Sequence, residues 1–288
     1  MERETGLELL NKNFSIHNFE IEPKFSDIEI SQFVRNTPLR SPIIYNNVMV
    51  LGLGGIGGHV AEILGSMKDI QSIHLVDDDI VEMSNLNRTV FSYEDIGFSK
   101  VECATKIISN RNVNAIVHPY IDKFNEEFCK RVETEYMQNF RRRTFMVYDC
   151  RDNFFEEKAL YDSLKLKLRS EFKIIRAAYN ETSITIDLSP LDHPVWGNPG
   201  YTTVPSHSLP SRLAALLICI FGLHYDRVSQ ENPEIIKTPM TFDLYDIIPF
   251  IFNGVKGMTP EKNETQGFED GGNGQDIDNF DSDMDPED

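Results

Sequence analysis

The chain has 288 residues and a mass of 33.1 kDa, and 40% of its residues are hydrophobic, which excludes wholesale disorder. Its longest apolar run, residues 213–223, is about half of the ~20 residues that a membrane-spanning helix needs, so we expect no membrane segment. With 46 acidic against 28 basic residues the formal net charge is −18, and this excess of acids argues against a nucleic-acid partner.

The N-terminus and the cysteines favour a cytoplasmic protein. The first residues carry charges of both signs and lack the apolar stretch of a secretory signal. The four cysteines lie at least 20 residues apart, a spacing that provides neither a CxxC zinc pair nor a disulfide framework. The pattern fits thiols that remain reduced in a cytosol.

Composition divides the chain into three parts. Residues 1–46 have mixed polarity with interrupting prolines and are predicted to form an N-terminal arm. Residues 261–288 contain eleven acids and one base, and this acidic tail is predicted to be disordered. Removing its charge of −10 from −18 leaves −8 for residues 1–260, so more than half of the excess charge lies outside the predicted domain at 47–260.

In chain order, short apolar runs alternate with helical patterns. Strands are predicted at residues 47–53, 72–76, 115–120, 144–148, 173–178 and 183–188. Helices are predicted at residues 55–67, 99–109, 125–138, 155–168 and 213–223. This alternation predicts an α/β fold, a Rossmann-like, doubly wound and mostly parallel sheet with flanking helices.

A glycine-rich loop follows the first predicted strand. Gly52, Gly54 and Gly57 form a GxGxxG that opens the first helix, where backbone amides can face a phosphate. Asp77 stands 20 residues beyond Gly57 at the end of the next strand, where its carboxylate is positioned to accept hydrogen bonds from ribose hydroxyls. These residues predict a nucleotide site, and at this point a nicotinamide-dependent dehydrogenase and an ATP-using enzyme both remain open.

The residues downstream favour ATP. Arg88 offers a planar fork for phosphate oxygens and Lys100 a compact positive charge. Asp152 follows the fourth strand, and the carboxyl ends of neighbouring parallel strands share one crevice. A carboxylate there suits Mg²⁺, which usually shares its oxygen ligands with phosphates. A dehydrogenase has no use for this combination.

Four ordered segments resemble the ThiF-type, ubiquitin-activating-enzyme-like adenylyltransferases. They are GLGGIGG at 52–58, VDDDIVEMSNLNR at 76–88, DIGFSK at 95–100 and DCRDN at 149–153, within a resemblance that covers roughly residues 47–190. Members of this family adenylate the C-terminal carboxylate of a small ubiquitin-like or sulfur-carrier protein or peptide with MgATP, and most work as homodimers. The resemblance therefore implies ATP and Mg²⁺ as cofactors and such a carrier as the substrate.

The resemblance also assigns roles by position. It implies that Asp77 binds the ribose, that Asp79 is a supporting acid, and that Asp152 holds Mg²⁺. The remaining nucleotide and phosphate contacts fall on the glycine loop and the residues after the second strand, namely Gly52, Gly54, Gly55, Gly57, Asn85, Arg88 and Lys100. Arg88, Lys100 and Asp152 are the residues to which it gives a catalytic role.

Departures from the family pattern concern zinc, a cysteine and a partner arginine. Many relatives carry two CxxC pairs, which this chain lacks, so we predict no zinc. Some relatives form a thioester or persulfide through a cysteine in the loop after the sheet, but the Pro-rich loop at 189–210 contains none, which favours adenylation without a protein thioester. Family members often use an arginine from the partner's N-terminal segment, for which Arg35 and Arg40 are candidates without a spacing match.

The Pro-rich loop contains two histidines and two large aromatic residues. A lone histidine in such a loop is usually a surface residue, so we expect His193 and His207 to be exposed and not catalytic. The length and aromatic content of the loop, with Trp196 and Tyr201, suggest that it covers the extended tail of a substrate.

Three other functions remain as alternatives. One is a non-catalytic scaffold or heterodimer partner that keeps the nucleotide fold. The second is a nicotinamide-dependent oxidoreductase, and the third is modification of a tRNA base, which the acidic surface disfavours.

Overall fold

The computed structural model describes residues 45–152, 158–193, 207–231 and 233–245. The predicted acidic tail at 261–288 lies outside these residues, as does the predicted N-terminal arm except for residues 45–46.

Seven strands form one sheet in the order β3-β2-β1-β4-β5-β6-β7. The strands are β1 (Asn47–Leu51), β2 (Ser72–Asp77), β3 (Ile116–Ile121), β4 (Thr144–Asp149), β5 (Glu171–Asn180), β6 (Ser183–Asp187) and β7 (Met240–Asp243). The first five are parallel, whereas β6 and β7 run antiparallel to their neighbours. The order reverses between β1 and β4, and in open α/β sheets such a reversal creates a crevice at the carboxyl ends of the strands.

Helices cover both faces of the sheet. They are α1 (Gly55–Gly65), α2 (Lys100–Arg111), α3 (Glu126–Thr134), α4 (Met137–Phe140), α5 (Lys158–Leu168), α6 (Ser208–Leu223) and α7 (Tyr225–Glu231). Buried side chains of α1, α2 and α6 share one apolar cluster with one face of the strands, and those of α3, α4 and α5 share a second cluster with the other face. The predicted doubly wound, mostly parallel α/β architecture is confirmed.

Four features differ from the sequence-based expectations. The helical pattern at 125–138 is two helices, because the chain leaves helical hydrogen bonding between α3 and α4. Helix α6 begins at Ser208 and not at Leu213, since Pro210 lies in the first turn, where a missing N–H costs nothing. The short edge strand β7 and helix α7 were not predicted at all.

Among the described residues, no single helix has the length and apolar character of a membrane span. The bent pair Ser208–Leu223 and Tyr225–Glu231, whose axes differ by 78°, meets this criterion by length and composition when taken together.

A buried histidine on β2 contacts the neighbouring edge strand, β3. His74 is fully buried, with Nε2 2.9 Å from Ser72 Oγ and Nδ1 3.2 Å from Tyr120 Oη, and its ring stacks on His118 with centroids 4.4 Å apart. Burial, reinforced by His118 and Arg143, holds the pKa of His74 well below its ordinary value. The folded chain therefore carries His74 in its neutral form.

Because burial lowers the pKa of His74, we expect the protein to lose stability as the pH falls below about 6.5, the ordinary pKa of histidine. Below that pH the unfolded chain binds a proton at His74 that the folded chain rejects, so this group alone removes up to about 1.4 kcal/mol of stability per pH unit until the folded pKa is reached. Urea midpoints between pH 7.5 and 5.5 should fall less steeply in His74→Leu than in the wild type. Lowered pKa values at His59 and His118 leave a residual slope.

The exposed His207 provides the control, and His207→Gln should keep the wild-type slope. A slope in His74→Leu as steep as that of the wild type would contradict the assignment.

Candidate nucleotide-binding site

The glycine loop turns sharply between β1 and α1. Gly52 has φ +79°, a left-handed conformation that favours glycine, and its N–H donates to Val76 O at 2.9 Å. A Cβ on Gly57 would lie 1.7 Å from Gly52 O, so the helix approaches the loop more closely than any other residue would permit. A Cβ on Gly54 would meet nothing within 4 Å, so the outer side of the loop is open.

Asp77 ends β2 next to this loop. Its Oδ2 accepts the Leu53 N–H at 2.5 Å and its Oδ1 accepts the Asp79 N–H at 2.8 Å. Burial raises the pKa of the Asp77 carboxyl, while the charge of Lys100 and these two N–H groups oppose the rise. The carboxylate is thereby fixed in orientation, and each oxygen retains a lone pair for a further donor.

Lys100 and Asp79 form an ion pair at the same edge. Lys100 Nζ donates to Asp79 Oδ2 at 2.7 Å, with the lysine side chain 10% and the aspartate side chain 65% exposed. The Lys100 N–H also donates to Asp79 O at 3.0 Å. Lys100 begins α2, so the ion pair ties the first turn of that helix to the segment after β2.

Asn85 and Arg88 lie in the turn that follows. The Glu82 N–H donates to Asn85 Oδ1 at 3.1 Å, and the buried Asn85 thereby stabilises a short 3₁₀ turn at Met83–Asn85. The Arg88 guanidinium donates to Ser84 O at 2.5 Å and to Asn87 Oδ1 at 3.1 Å. A Cβ on Gly55 would lie 3.5 Å from Arg88 Cγ, so this arginine lies beside the beginning of α1.

The segment after β4 contacts the glycine loop from the other side. Arg151 binds both carboxylate oxygens of the fully buried Asp149 at 2.9 Å, and its backbone N would lie 3.2 Å from a Cβ on Gly52. The next residue, Asp152, is exposed. The fold thus brings Asp152 to the same edge of the sheet as the glycine loop, Asp77, Lys100 and Arg88.

Sequence reasoning missed a row of buried charged residues beside the site. Asp149 on β4, Arg176 on β5 and Asp187 on β6 are in register across three strands and are at most 2% exposed. Burial lowers the pKa of Arg176, and Asp149 and Asp187 oppose this effect. Arg151 extends the row at one end and His193 at the other, where Nδ1 lies 2.8 Å from Asp187 Oδ1.

His193 is therefore not the surface residue that the sequence suggested. Its side chain is 10% exposed, because the chain folds back after β6 and places the ring against a buried carboxylate. The signal available in the sequence was the interruption of two apolar strands by Arg176 and Asp187, which need a charged partner if buried. His207 is exposed as expected, and Arg35, Arg40, Trp196 and Tyr201 lie outside the described residues.

All four cysteines are buried as free thiols. Burial raises the pKa of Cys103 to about 12, and it raises the pKa values of Cys150 and Cys219 as well. Cys129, whose exposure the sequence left undecided, is also buried, so none of the thiols lies on the surface. Within the described ranges, no group of three or more His, Cys, Asp or Glu side chains is arranged to hold a metal ion.

Comparison with known proteins gives matches that each cover part of the chain. Residues 40–173 match the ThiF family. The chain is 39% identical over 88 residues to the Nedd8-activating enzyme E1 catalytic subunit of Drosophila melanogaster, covering 29% of this chain and 19% of that protein. It is 33% identical over 108 residues to the adenylyltransferase and sulfurtransferase MOCS3 of Xenopus laevis, covering 37% and 22%. The matched segment thus spans about a fifth of each relative.

The fold also resembles a solved structure. The similarity to PaaA has a TM-score of 0.54 and covers 85% of this chain and 81% of that one. At 18% sequence identity, this likeness concerns the fold alone.

The close approach at the glycine loop predicts that Gly57→Ala is strongly destabilising. The new Cβ would overlap the Gly52 carbonyl, which is backbone and cannot move aside without displacing β1 or α1, so we expect a loss of about 3 kcal/mol or more in the free energy of unfolding. Gly54→Ala is the matched control, since its Cβ meets open space, and it should stay within about 0.5 kcal/mol of the wild type. Similar urea midpoints for the two variants would contradict this geometry.

The buried charge row predicts a large effect of Arg176→Leu. Removing the guanidinium leaves the buried carboxylates of Asp149 and Asp187 without its positive charge. Because breaking a buried ion pair is strongly destabilising, we expect the free energy of unfolding to fall by about 3–5 kcal/mol. Arg227→Leu removes an exposed arginine from its pair with Glu231 and should cost less than about 1 kcal/mol. Equal unfolding free energies for the two variants would rule out a structural role for the row.

Proposed function

Because residues 40–173 match the ThiF family, we propose that the protein is an ATP-dependent adenylyltransferase acting on a small ubiquitin-like or sulfur-carrier protein or peptide. It would activate the C-terminal carboxylate of that substrate and release pyrophosphate. The convergence of the glycine loop, Asp77, Arg88 and Lys100 on one edge of the sheet carries the proposal. The names of two relatives, an activating enzyme and an adenylyltransferase, support the same class of reaction.

The glycine loop and Asp77 are suited to the nucleoside and its phosphates. The first backbone N–H groups of α1 have no partner within the helix, and a phosphate in the open space beside Gly54 would lie at this helix N-terminus. Asp77 is held by two backbone N–H groups with lone pairs to spare, so it can accept from two ribose hydroxyls. The arrangement supports binding of the ribose at β2 and of the phosphates at α1.

Arg88 and Lys100 would neutralise the phosphates. Lys100 is paired with Asp79, which follows β2. Arg88 donates to the Ser84 carbonyl and to Asn87 in its own loop. The charged oxygens of a triphosphate are stronger acceptors for Arg88 than its present carbonyl and amide partners. We infer that ATP binding moves the arginine from its loop to the phosphates, while Lys100 bridges Asp79 and a phosphate.

Asp152 fits a magnesium ion. Its carboxylate is exposed, hard in character and adjacent through Arg151 to the glycine loop, and Mg²⁺ in nucleotide sites commonly takes one or two carboxylates together with phosphate oxygens. The bound ion would supply neutralisation of phosphate charge during the reaction. Arg151, held by both oxygens of Asp149, would fix the backbone that presents Asp152.

The chemistry needs alignment more than proton transfer. A carboxylate oxygen of the substrate forms a bond to the α-phosphorus, and the bond from that phosphorus to the bridging oxygen breaks, with its electron pair leaving on pyrophosphate. The nucleophile is already an anion, so no general base is required. The contribution of Arg88 and Lys100 is then to orient the phosphates and to stabilise the charge that shifts towards the leaving group.

The state of the thiols supports release of the adenylate to an external nucleophile. Every cysteine is buried, and burial favours the protonated form of the three whose pKa values are raised. We therefore propose adenylation without a thioester on this chain. We also propose a homodimer as the working assembly.

ATP–pyrophosphate exchange in the presence of candidate carrier proteins or peptides tests the activity directly. Asp152→Ala should lower the exchange rate about 100-fold, because phosphate charge would lose its metal-held neutralisation. Asp162→Ala removes an exposed carboxylate on α5 and should leave the rate unchanged. Undiminished exchange in Asp152→Ala would contradict the metal assignment, and absence of exchange with every carrier type would contradict adenylation.

A further inference from the structure

The main-chain carbonyl of Arg88 is held by side chains from two helices. His59 Nε2 on α1 lies 3.1 Å from Arg88 O, and Ser211 Oγ on α6 lies 3.2 Å from the same oxygen. His59 is 4% exposed and Ser211 is fully buried, so both contacts are shielded from water. These contacts join two helices to the residue that would bind phosphate.

His59 is the principal donor of the two. Because a carbonyl oxygen only accepts, the imidazole must carry its proton on Nε2 in this contact. The Ser211 hydroxyl has one proton and also lies 3.0 Å from Ser208 O within its own helix, so it is shared between two acceptors. Loss of His59 therefore removes more of the support for Arg88 than loss of Ser211.

A carboxylate lies close to the other nitrogen of the ring. Glu62 Oε2 on α1 lies 3.5 Å from His59 Nδ1, and the other oxygen of Glu62 pairs with Arg111 at the end of α2. With its proton on Nε2, the neutral ring has a lone pair at Nδ1, and a carboxylate oxygen has no proton to offer, so this approach is not a hydrogen bond. The contact through which the His59 ring donates is therefore the one with the Arg88 carbonyl.

The held carbonyl places Arg88 against the phosphate-binding end of α1. A Cβ on Gly55 would lie 3.5 Å from Arg88 Cγ, 3.3 Å from Ser211 Cβ and 2.9 Å from Tyr179 Oη, so these groups meet at the first residue of that helix. The guanidinium donates to a carbonyl and an amide oxygen of its own loop, whereas the main-chain carbonyl of Arg88 accepts from buried side chains. Such an arrangement sets where the arginine starts from and leaves its tip free to change partners.

We propose that His59, assisted by Ser211, is a positioning residue that holds Arg88 for binding the phosphates of a nucleoside triphosphate. The proposal rests on the proposed function, because it takes Arg88 as a phosphate ligand. It assigns His59 no contact with ATP: its effect passes through the Arg88 backbone. The consequence is a specific loss of affinity for the phosphates, with affinity for the nucleoside preserved.

The ratio of ATP to adenosine affinity measures that consequence, using equilibrium binding to the full chain with Mg²⁺ present. Arg88→Ala should lower the preference for ATP tenfold or more, since a charge-assisted hydrogen bond is lost. His59→Leu should lower it about fivefold, the equivalent of one hydrogen bond, and Ser211→Ala by less. His59→Gln keeps a donor near the position of Nε2 and should restore most of the wild-type preference.

Ser170→Ala is the matched control for Ser211→Ala. Ser170 is also fully buried and donates to a main-chain carbonyl, that of Phe140. It directly precedes β5, however, and so lies at the amino-terminal end of the parallel strands, away from the glycine loop. Its removal should change neither affinity, and thermal unfolding of each variant should show a folded chain at the assay temperature.

Three outcomes would overturn the positioning role. Equal weakening of ATP and adenosine by His59→Leu would show a merely structural residue, and an unchanged ratio in His59→Leu with a lowered ratio in Arg88→Ala would show that Arg88 needs no such support. In both cases the proposed function would stand. Absence of ATP binding by the wild-type chain would overturn the proposed function together with this inference.

Discussion

The close approach of α1 to the end of β1 is the constraint on which the rest of the site depends. Gly57 leaves no room for a side chain against the Gly52 carbonyl, and this contact fixes the height and angle at which the helix meets the sheet. Once α1 is fixed, its N-terminus lies beside the glycine loop, and Asp77 binds that loop through the Leu53 N–H. The same helix carries His59 to the Arg88 carbonyl, so a packing constraint at one glycine determines the placement of a cation 31 residues further along the chain.

Two kinds of charge surround this site, and they have different physical roles. Asp149, Arg176 and Asp187 are buried in register across three strands, where an opposite charge is the condition for keeping each of them in a low dielectric. Lys100 and Arg88 lie at the edge and are paired with groups that can be exchanged for phosphates. The buried row therefore fixes the backbone beside the crevice, and the edge cations remain available for a ligand.

The sequence predicts the parts of this fold whose residues obey one simple pattern. The parallel strands β1, β2 and β4 read as continuous apolar runs because both of their faces are covered, and the glycines, Asp77, Lys100 and Asp152 follow strand ends or begin helices. Long-range pairing has no such signature. The local sequence around Arg176 and His59 does not identify their partners, Asp187 and the Arg88 carbonyl, which only the sheet register and the helix packing bring to them. Strand β7 was missed because four residues at an edge carry too short a pattern.

The electrostatics of the site follow from pairing at short range and not from the net charge of −18. Lys100 is paired with Asp79, and Arg88 donates to a carbonyl and an amide oxygen, so each cation has a protein acceptor. A ligand without phosphates gains nothing by displacing these partners. A triphosphate, which brings several negative oxygens, can outcompete the neutral acceptors of Arg88 and share Lys100 with Asp79. Selectivity for the phosphorylated nucleotide would then arise from the contacts that ATP must replace as much as from those that it forms.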